Sequence, residues 1–219
     1  MAKAHPRRRE LLTQRGELTR GKLVVAAREV FERDGFAAAR ITEIAALADT
    51  AVGSFYTYFD TKDAILRAVM EVVDGEFALP LPREAGSDPL ARLAAGNRAY
   101  VRNYARNARI LAVMQHRSFY DSELGALRTL ARRRWIERAE RSIRRLRDAG
   151  RATSELSPRF LATALSSMVQ AFCYEHFAFV DANHPGDSRL GEEEIASGLT
   201  DIWIRAVGLR TTTAPLPAR

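Results

Sequence analysis

Cysteine is almost missing from this chain of 219 residues: Cys173 stands alone. One thiol cannot build an internal disulfide framework or a multi-cysteine zinc site. The four histidines do not replace it, because His116 and His176 have no second strong ligand three or four residues further on. No apolar run reaches the roughly 18 uncharged residues that a membrane span needs. The opening MAKAHPRRRELLTQRGELTR also lacks the apolar core of a signal peptide, so the expectation is a soluble, cytoplasmic chain with no membrane partner. There is no glycine-rich phosphate loop, no nucleophile elbow, and no histidine with a carboxylate at motif spacing. An enzyme reading therefore has no support, and no cofactor is expected. Acid is in deficit, with 27 Asp and Glu against 34 Lys and Arg and a formal charge of +7. Such a surplus suits a polyanionic partner.

What is present is helical pattern. Leu23, Ala26, Ala27, Val30 and Phe31 recur at the spacing of one helix face. Asp34-Gly35-Phe36 ends that helix, with Gly35 at the left-handed position after it and Phe36 placed to touch Phe31. Upstream, residues 1 to about 18 form a basic arm carrying Lys3, Arg7, Arg8, Arg9 and Arg15. It is either a solvated tail or a phosphate-contacting or minor-groove arm.

The stretch Ile41 to Lys62, ITEIAALADTAVGSFYTYFDTK, reads as a short helix, a tight turn, a second short helix and the start of a third. Thr42 is expected as the first N-cap with Glu43 in the first turn. Asp49 suits a left-handed turn backbone. Phe55 and Phe59, four apart, should pack inward and leave Ser54, Tyr56, Thr57 and Tyr58 on the open face. A short helix whose free face carries hydroxyls, a glycine and little acid can lie in a DNA groove. Thr42, Ser54, Tyr56, Thr57, Tyr58 and Lys62 are the candidate phosphate donors, while Val52, Gly53 and Ser54 approach base edges.

These residues carry a resemblance. Ala45 to Lys62 resembles the helix-turn-helix of the TetR (tetracycline-repressor-like) family. RGKLVVAAREVFERDGF (Arg20 to Phe36) is similar to that family's first helix, and Lys62 to Val69 to its fourth. One departure is that Asp49-Thr50-Ala51 stands where the family usually has Gly-Val-Ser. Ala51 has no capping side chain, which points to Thr50 as the cap one residue early. The resemblance implies an all-α transcriptional regulator whose N-terminal domain meets double-stranded DNA and whose C-terminal domain holds an effector pocket.

Three prolines, Pro80, Pro82 and Pro89, fall within ten residues and mark a connection. The expected organisation is therefore a helix-turn-helix domain over 1–79 and a helical ligand-binding and dimerisation domain over 80–219. Asp88-Pro89 opens the next helix, which should break near Asn107 to Arg109. Ser122 opens a long one to about Ala149, with Leu127, Ala131, Trp135, Ala139, Ile143 and Leu146 inward. Its arginines, Arg128 and Arg132 among them, read as a solvated exterior. Ser157-Pro158 caps and starts a helix that is apolar nearly all round from Phe160 to Val180. After a loop over Asp181 to Gly191, Glu192 to Glu194 start the last helix.

Tyr100, Tyr104, Met114, Phe119, Trp135, Met168, Phe172 and His176 are the candidate pocket lining, each equally readable as core. Cys173 reads as an inert buried thiol. The two final helices are expected to pair across a two-fold axis as a homodimer, through Phe160, Ala164, Leu199, Ile202 and Trp203. The functional expectation is a repressor that binds a palindromic operator and is released by a small, largely apolar effector. The alternative is an all-α small-molecule binder or enzyme with an incidental basic N-terminus.

Overall fold

In the computed structural model, eight helices follow one another through the described residues, which are 6–78, 88–178 and 190–210, with residues 6–13 described by their backbone alone. The arm residue Lys3, the prolines Pro80 and Pro82, and most of the expected Asp181–Gly191 loop lie outside them. The helices are α1 (Pro6–Ala38), α2 (Ile41–Leu47), α3 (Val52–Tyr58), α4 (Lys62–Ala78), α5 (Pro89–Arg117), α6 (Ser122–Asp148), α7 (Pro158–Cys173) and α8 (Glu192–Val207).

Two compact units form: Met1–Gly75 with Arg109–Leu127, and Glu76–Ala108 with Arg128–Arg219. The chain passes between them within α4, α5 and α6. A single cut after residue 79 thus describes only the first crossing. The short piece Arg109–Leu127 groups with the helix-turn-helix because it is tied there by charge. Arg117 Nε donates to Asp63 Oδ1 at 2.6 Å, and Arg67 Nη1 donates to Asp121 Oδ2 at 2.7 Å. Arg67 also reaches Glu123 at 3.2 Å.

In the first unit, Leu23, Ala27, Val30, Phe31, Ile44, Ala45, Phe55, Ile65, Leu66 and Val69 are wholly buried, so the α1 stripe read from the sequence faces the core. α1 begins at Pro6, which makes the basic arm helical over most of its length. Gly35 has φ +74° and ψ 170°, and the Phe31 and Phe36 rings stack with centroids 5.6 Å apart.

Two caps differ from expectation. Arg40, not Thr42, is the N-cap of α2, and it makes no side-chain cap bond. Ala51, not Thr50, is the N-cap of α3, again without one. The Thr50 hydroxyl is directed to the Ala45 carbonyl at 3.5 Å instead. Burial of Phe55 and Phe59 fixes where α3 starts, so the helix does without a capping side chain. Asp49 has φ +53°, the left-handed turn anticipated for it.

The second unit contains the helix that was expected to break and does not. α5 runs unbroken because Asn107, fully buried, turns its amide onto the Asn103 carbonyl and Glu76 Oε2, each at 2.8 Å. Ser122 opens α6 as read from the sequence, and Asp121 caps it, for its Oδ1 accepts from the amides of Glu123 (3.0 Å) and Leu124 (3.2 Å). Ser157 caps α7 and Asp88 caps α5, both as read from the sequence. Beyond Cys173 the α-helix gives way to a π turn, Tyr174–Ala178, so the long apolar helix is not uniform. α8 ends on Gly208 in the left-handed region, and Ala152 bridges Leu209 beside it.

Candidate functional site

The helix-turn-helix presents α3 by burying its opposite side. Phe55 is 0% and Phe59 5% exposed, and their rings sit 5.9 Å apart. Arg20 of α1 lies over the Phe59 ring at 5.1 Å, pinning the end of α3 to α1. With those aromatics inward, Val52, Gly53, Tyr56 and Thr57 face outward, and Thr42 of α2 is exposed with them. Tyr56, 54% exposed, is the largest group on this face. Ser54 is half-buried. No side chain occupies the space where Gly53 would carry a Cβ, so the backbone can approach a ligand closely there.

Two of the sequence-derived candidates do not belong to that face. Tyr58 is half-buried, and a Cβ placed on Gly16 would stand 3.4 Å from its hydroxyl oxygen, so the hydroxyl is turned toward α1. Lys62 is withdrawn altogether. Its Nζ donates to the carbonyls of Phe36 (2.6 Å), Ala39 (2.9 Å) and Ala37 (3.2 Å). An ammonium has three N–H donors, and all three are used here on the last carbonyls of α1 and the residue after it. The same Nζ lies 4.7 Å over the Phe36 ring, with Arg117 at 4.7 Å from it as well. Burial pulls the Lys62 ammonium below its usual range, with Arg117 adding to the effect and Asp63 opposing it. Spacing alone could not reveal this, because the acceptors lie some 25 residues upstream.

The second unit gathers aromatic side chains from three helices. Phe77 of α4 meets Tyr100 of α5 at 5.2 Å, Tyr100 meets Tyr104 at 5.9 Å, and Tyr100 meets Trp135 of α6 at 5.0 Å. Tyr100, Tyr104 and Trp135 are thus brought together from the predicted lining, and Phe77 joins them. Burial drives both tyrosine hydroxyls far above their usual range. It also pushes the Cys173 thiol up to about 12, which keeps it unreactive.

The other predicted lining residues go elsewhere. Met114 is wholly buried, and Phe119 is 80% exposed; both belong to the first unit. Phe172 is exposed, and Met168 is half-buried one turn before it. The His176 ring contacts Phe172 and Phe177, and its Nε2 is 3.0 Å from the Leu190 carbonyl. Among the described residues no group of three metal-ligating side chains forms.

Arg128 is the residue the sequence reading missed. Counted among the solvated arginines of α6, it is instead half-buried. Its guanidinium is pulled downward by burial, while the Tyr104 and Tyr174 hydroxyls oppose that pull. The usable signal was its place one face with Trp135, seven residues on.

The expected dimer surface divides in two. Phe160 (59%) and Ile202 (46%) are exposed apolar groups and Ala164 is exposed too; Phe172 (37%), expected in the pocket instead, is exposed as they are. Leu199 (4%) and Trp203 (7%) face the protomer's own core. They share the inward stripe Ile195, Leu199, Trp203, Val207 at four-residue spacing, so they are not interface residues.

Comparison with known proteins matches this arrangement. Residues 23–69 match the family described as bacterial regulatory proteins, tetR family. Residues 93–208 match the C-terminal domain of the transcriptional regulator EthR. The HTH-type transcriptional regulator HbdR of Aromatoleum sp. (strain CIB) is 28% identical over 169 residues, covering 75% of this chain and 73% of that protein. The fatty acid degradation regulator FadR of Bacillus halodurans superposes with a TM-score of 0.70 at 15% identity, over 88% of this chain and 97% of the other. SmeT in its triclosan complex gives 0.66 at 22% identity, over 91% and 99%. SmeT is the repressor of the Stenotrophomonas maltophilia multidrug efflux pump SmeDEF. A helix-turn-helix and a helical C-terminal unit, each matched by its own model, place this chain in the TetR family of DNA-binding, ligand-responsive transcriptional regulators.

Proposed function

We propose that this protein is a repressor that binds a palindromic operator as a homodimer and leaves it when a small, largely apolar effector enters the C-terminal unit. The observation that carries the reading is the outward face of α3, with Val52, Gly53, Tyr56 and Thr57 displayed over the buried Phe55 and Phe59. Val52 suits a thymine methyl, Gly53 and half-buried Ser54 a close backbone approach to bases, and Thr42, Tyr56 and Thr57 the phosphates. DNA reading belongs to the unit Met1–Gly75 with Arg109–Leu127, and effector binding and dimerisation to the other. The dimer forms through Phe160, Ala164, Phe172 and Ile202, whose exposed apolar surface a partner copy would cover. The same two-fold axis sets two α3 helices one helical turn of DNA apart, roughly 34–36 Å. Effector binding favours a different spacing, which weakens the operator complex by differential affinity between two states.

Fluorescence anisotropy with DNA from the gene's own upstream region tests this. Tyr56→Ala should weaken specific and random DNA alike, whereas Val52→Ala should alter sequence preference. If both variants bind as the parent does, α3 is not the reading helix.

A further inference from the structure

The first unit carries an apolar face that neither its own core nor α3 uses. Leu18 and Val25, on the outer side of α1, are each 69% exposed, and Leu47 at the end of α2 is 45% exposed. All three line one groove of about 840 Å³ between α1 and the turn after α2, together with Gln14, Glu17, Gly21, Lys22, Glu29 and Asp49. Leu18, Lys22, Val25 and Glu29 follow at i, i+4, i+7 and i+11, so α1 has a second stripe besides its buried one. Glu17, Lys22 and Glu29 make no hydrogen bond or ion pair among the described residues. Gly21 lies mid-stripe, and nothing stands within 4 Å of the Cβ it lacks. A glycine inside a helix is unfavourable relative to alanine, and no group of the protomer fills the room it leaves.

The stripe is complementary to itself. An antiparallel copy of α1, related by a two-fold axis between Gly21 and Lys22, sets Leu18 against Val25 of the second copy and Val25 against its Leu18. Leu47 widens the apolar seat in the same groove. Gln14 then meets Glu29 of the second copy, and Lys22 lies opposite its Gly21, one turn from its Glu17. Each charge of α1 left unpartnered in the protomer gains a polar partner, and a glycine sits where the two helices cross most closely. Three acids against one lysine along the groove disfavour nucleic acid as its occupant.

We propose that this face docks a second copy of the chain, α1 against α1, and that the contact joins neighbouring dimers bound side by side on DNA. The joining of dimers rests on the homodimer reading above; the α1 contact itself does not. The stretch from Gln14 to Glu29 is about 22 Å of helix, short for a stable interface, which takes roughly 1,200–2,000 Å². The contact is therefore weak in free solution and forms where DNA holds two heads at high effective concentration.

Disulfide trapping tests the proposal on the full-length protein bound to a random duplex of about 60 bp at low salt, where binding needs no operator. The variant carrying both Leu18→Cys and Val25→Cys should give a covalent two-chain species on denaturing, non-reducing gels. The two positions are about 10 Å apart along one helix and cannot bridge within a chain, and Cys173 is fully buried. Leu18→Cys or Val25→Cys alone should give less than about a tenth of that yield, because like positions do not meet across the axis. No trapping in the double variant, or equal trapping in the single ones, overturns the contact. Oxidised double variant should sediment as four chains or more, and a trapped species of only two chains overturns the joining of dimers. The homodimer reading fails separately, if the unoxidised parent sediments as one chain. Gly21→Arg fills open room in the protomer, so folding is retained, while the bulk and charge block the second copy at its Lys22. On the 60-bp duplex it should lose about tenfold in neighbour cooperativity, yet bind a duplex of about 20 bp no more weakly than the parent. Equal cooperativity in parent and variant overturns the proposal. A groove that seats another protein's basic helix would give that flat result in both assays.

Discussion

Asp121 joins two jobs in one carboxylate, and removing it should show how the piece Arg109–Leu127 is held in the DNA-binding unit. The side chain is 9% exposed as a residue. Its Oδ1 caps α6 through the amides of Glu123 and Leu124, and its Oδ2 accepts from Arg67 at 2.7 Å. A lost N-cap costs about 1 kcal/mol. A lost charge-assisted bond costs about 1–2 kcal/mol, at the low end here because Arg67 is a quarter exposed and keeps Glu123 as a second partner. Asp121→Ala should therefore destabilise by about 2–3 kcal/mol, or about 5–10 °C in melting temperature for a chain of this length. Asp121→Asn keeps the cap acceptor and loses the charge, so it should cost about 1 kcal/mol.

The pH dependence has a definite sign. Burial alone would raise the Asp121 carboxyl, but the Leu124 and Glu123 amides and Arg67 overcome it and hold the group below its ordinary value. A depressed carboxyl contributes stability that is present above the unfolded value of about 3.9 and lost as pH falls through the folded one. The gap between the parent and Asp121→Asn should be full near neutrality and close progressively below about pH 4. Thermal melts followed by circular dichroism across pH 3–7 read both effects. If Asp121→Ala melts within about 1 °C of the parent, the cap and ion pair do not hold this segment.

Three further outcomes follow from positions that the structure reassigns. Lys62→Met should lower stability by about 2 kcal/mol through three lost bonds to the end of α1, while the salt slope of DNA binding stays that of the parent; a slope shallower by about one unit would return Lys62 to the phosphates. Ile202→Glu should yield folded monomers in sedimentation and weaken operator binding, whereas Leu199→Glu, buried in the protomer, should reduce the folded fraction itself; a well-folded monomer from Leu199→Glu would show that α8 is turned the other way. Gly208→Ala should destabilise by about 2 kcal/mol or more, because φ is +64° and the new Cβ would lie 2.4 Å from Thr153 Oγ1; an unchanged melting temperature would contradict that close packing.

The sequence by itself determined most of the helices and the helix-turn-helix, because these rest on local rules, and its resemblance pointed to the family. Phe55 and Phe59 four apart bury one side of α3 whatever surrounds them, Asp49 takes the left-handed turn, and Ser157-Pro158 starts α7. Periodicity marks a face as apolar, and it did so correctly for α1. It does not say which neighbour covers that face. Only the tertiary structure could turn Leu199 and Trp203 inward and Ile202 outward, since all three are equally apolar in the chain. Only tertiary contacts could spend Lys62 on carbonyls some 25 residues away, steady Asn107 with Glu76 so that α5 runs on, and draw Arg128 from a row of solvated arginines into an aromatic cluster. In each case the deciding partner is remote in sequence, and the gain from satisfying a buried polar group outweighs the local preference that the residue shows alone.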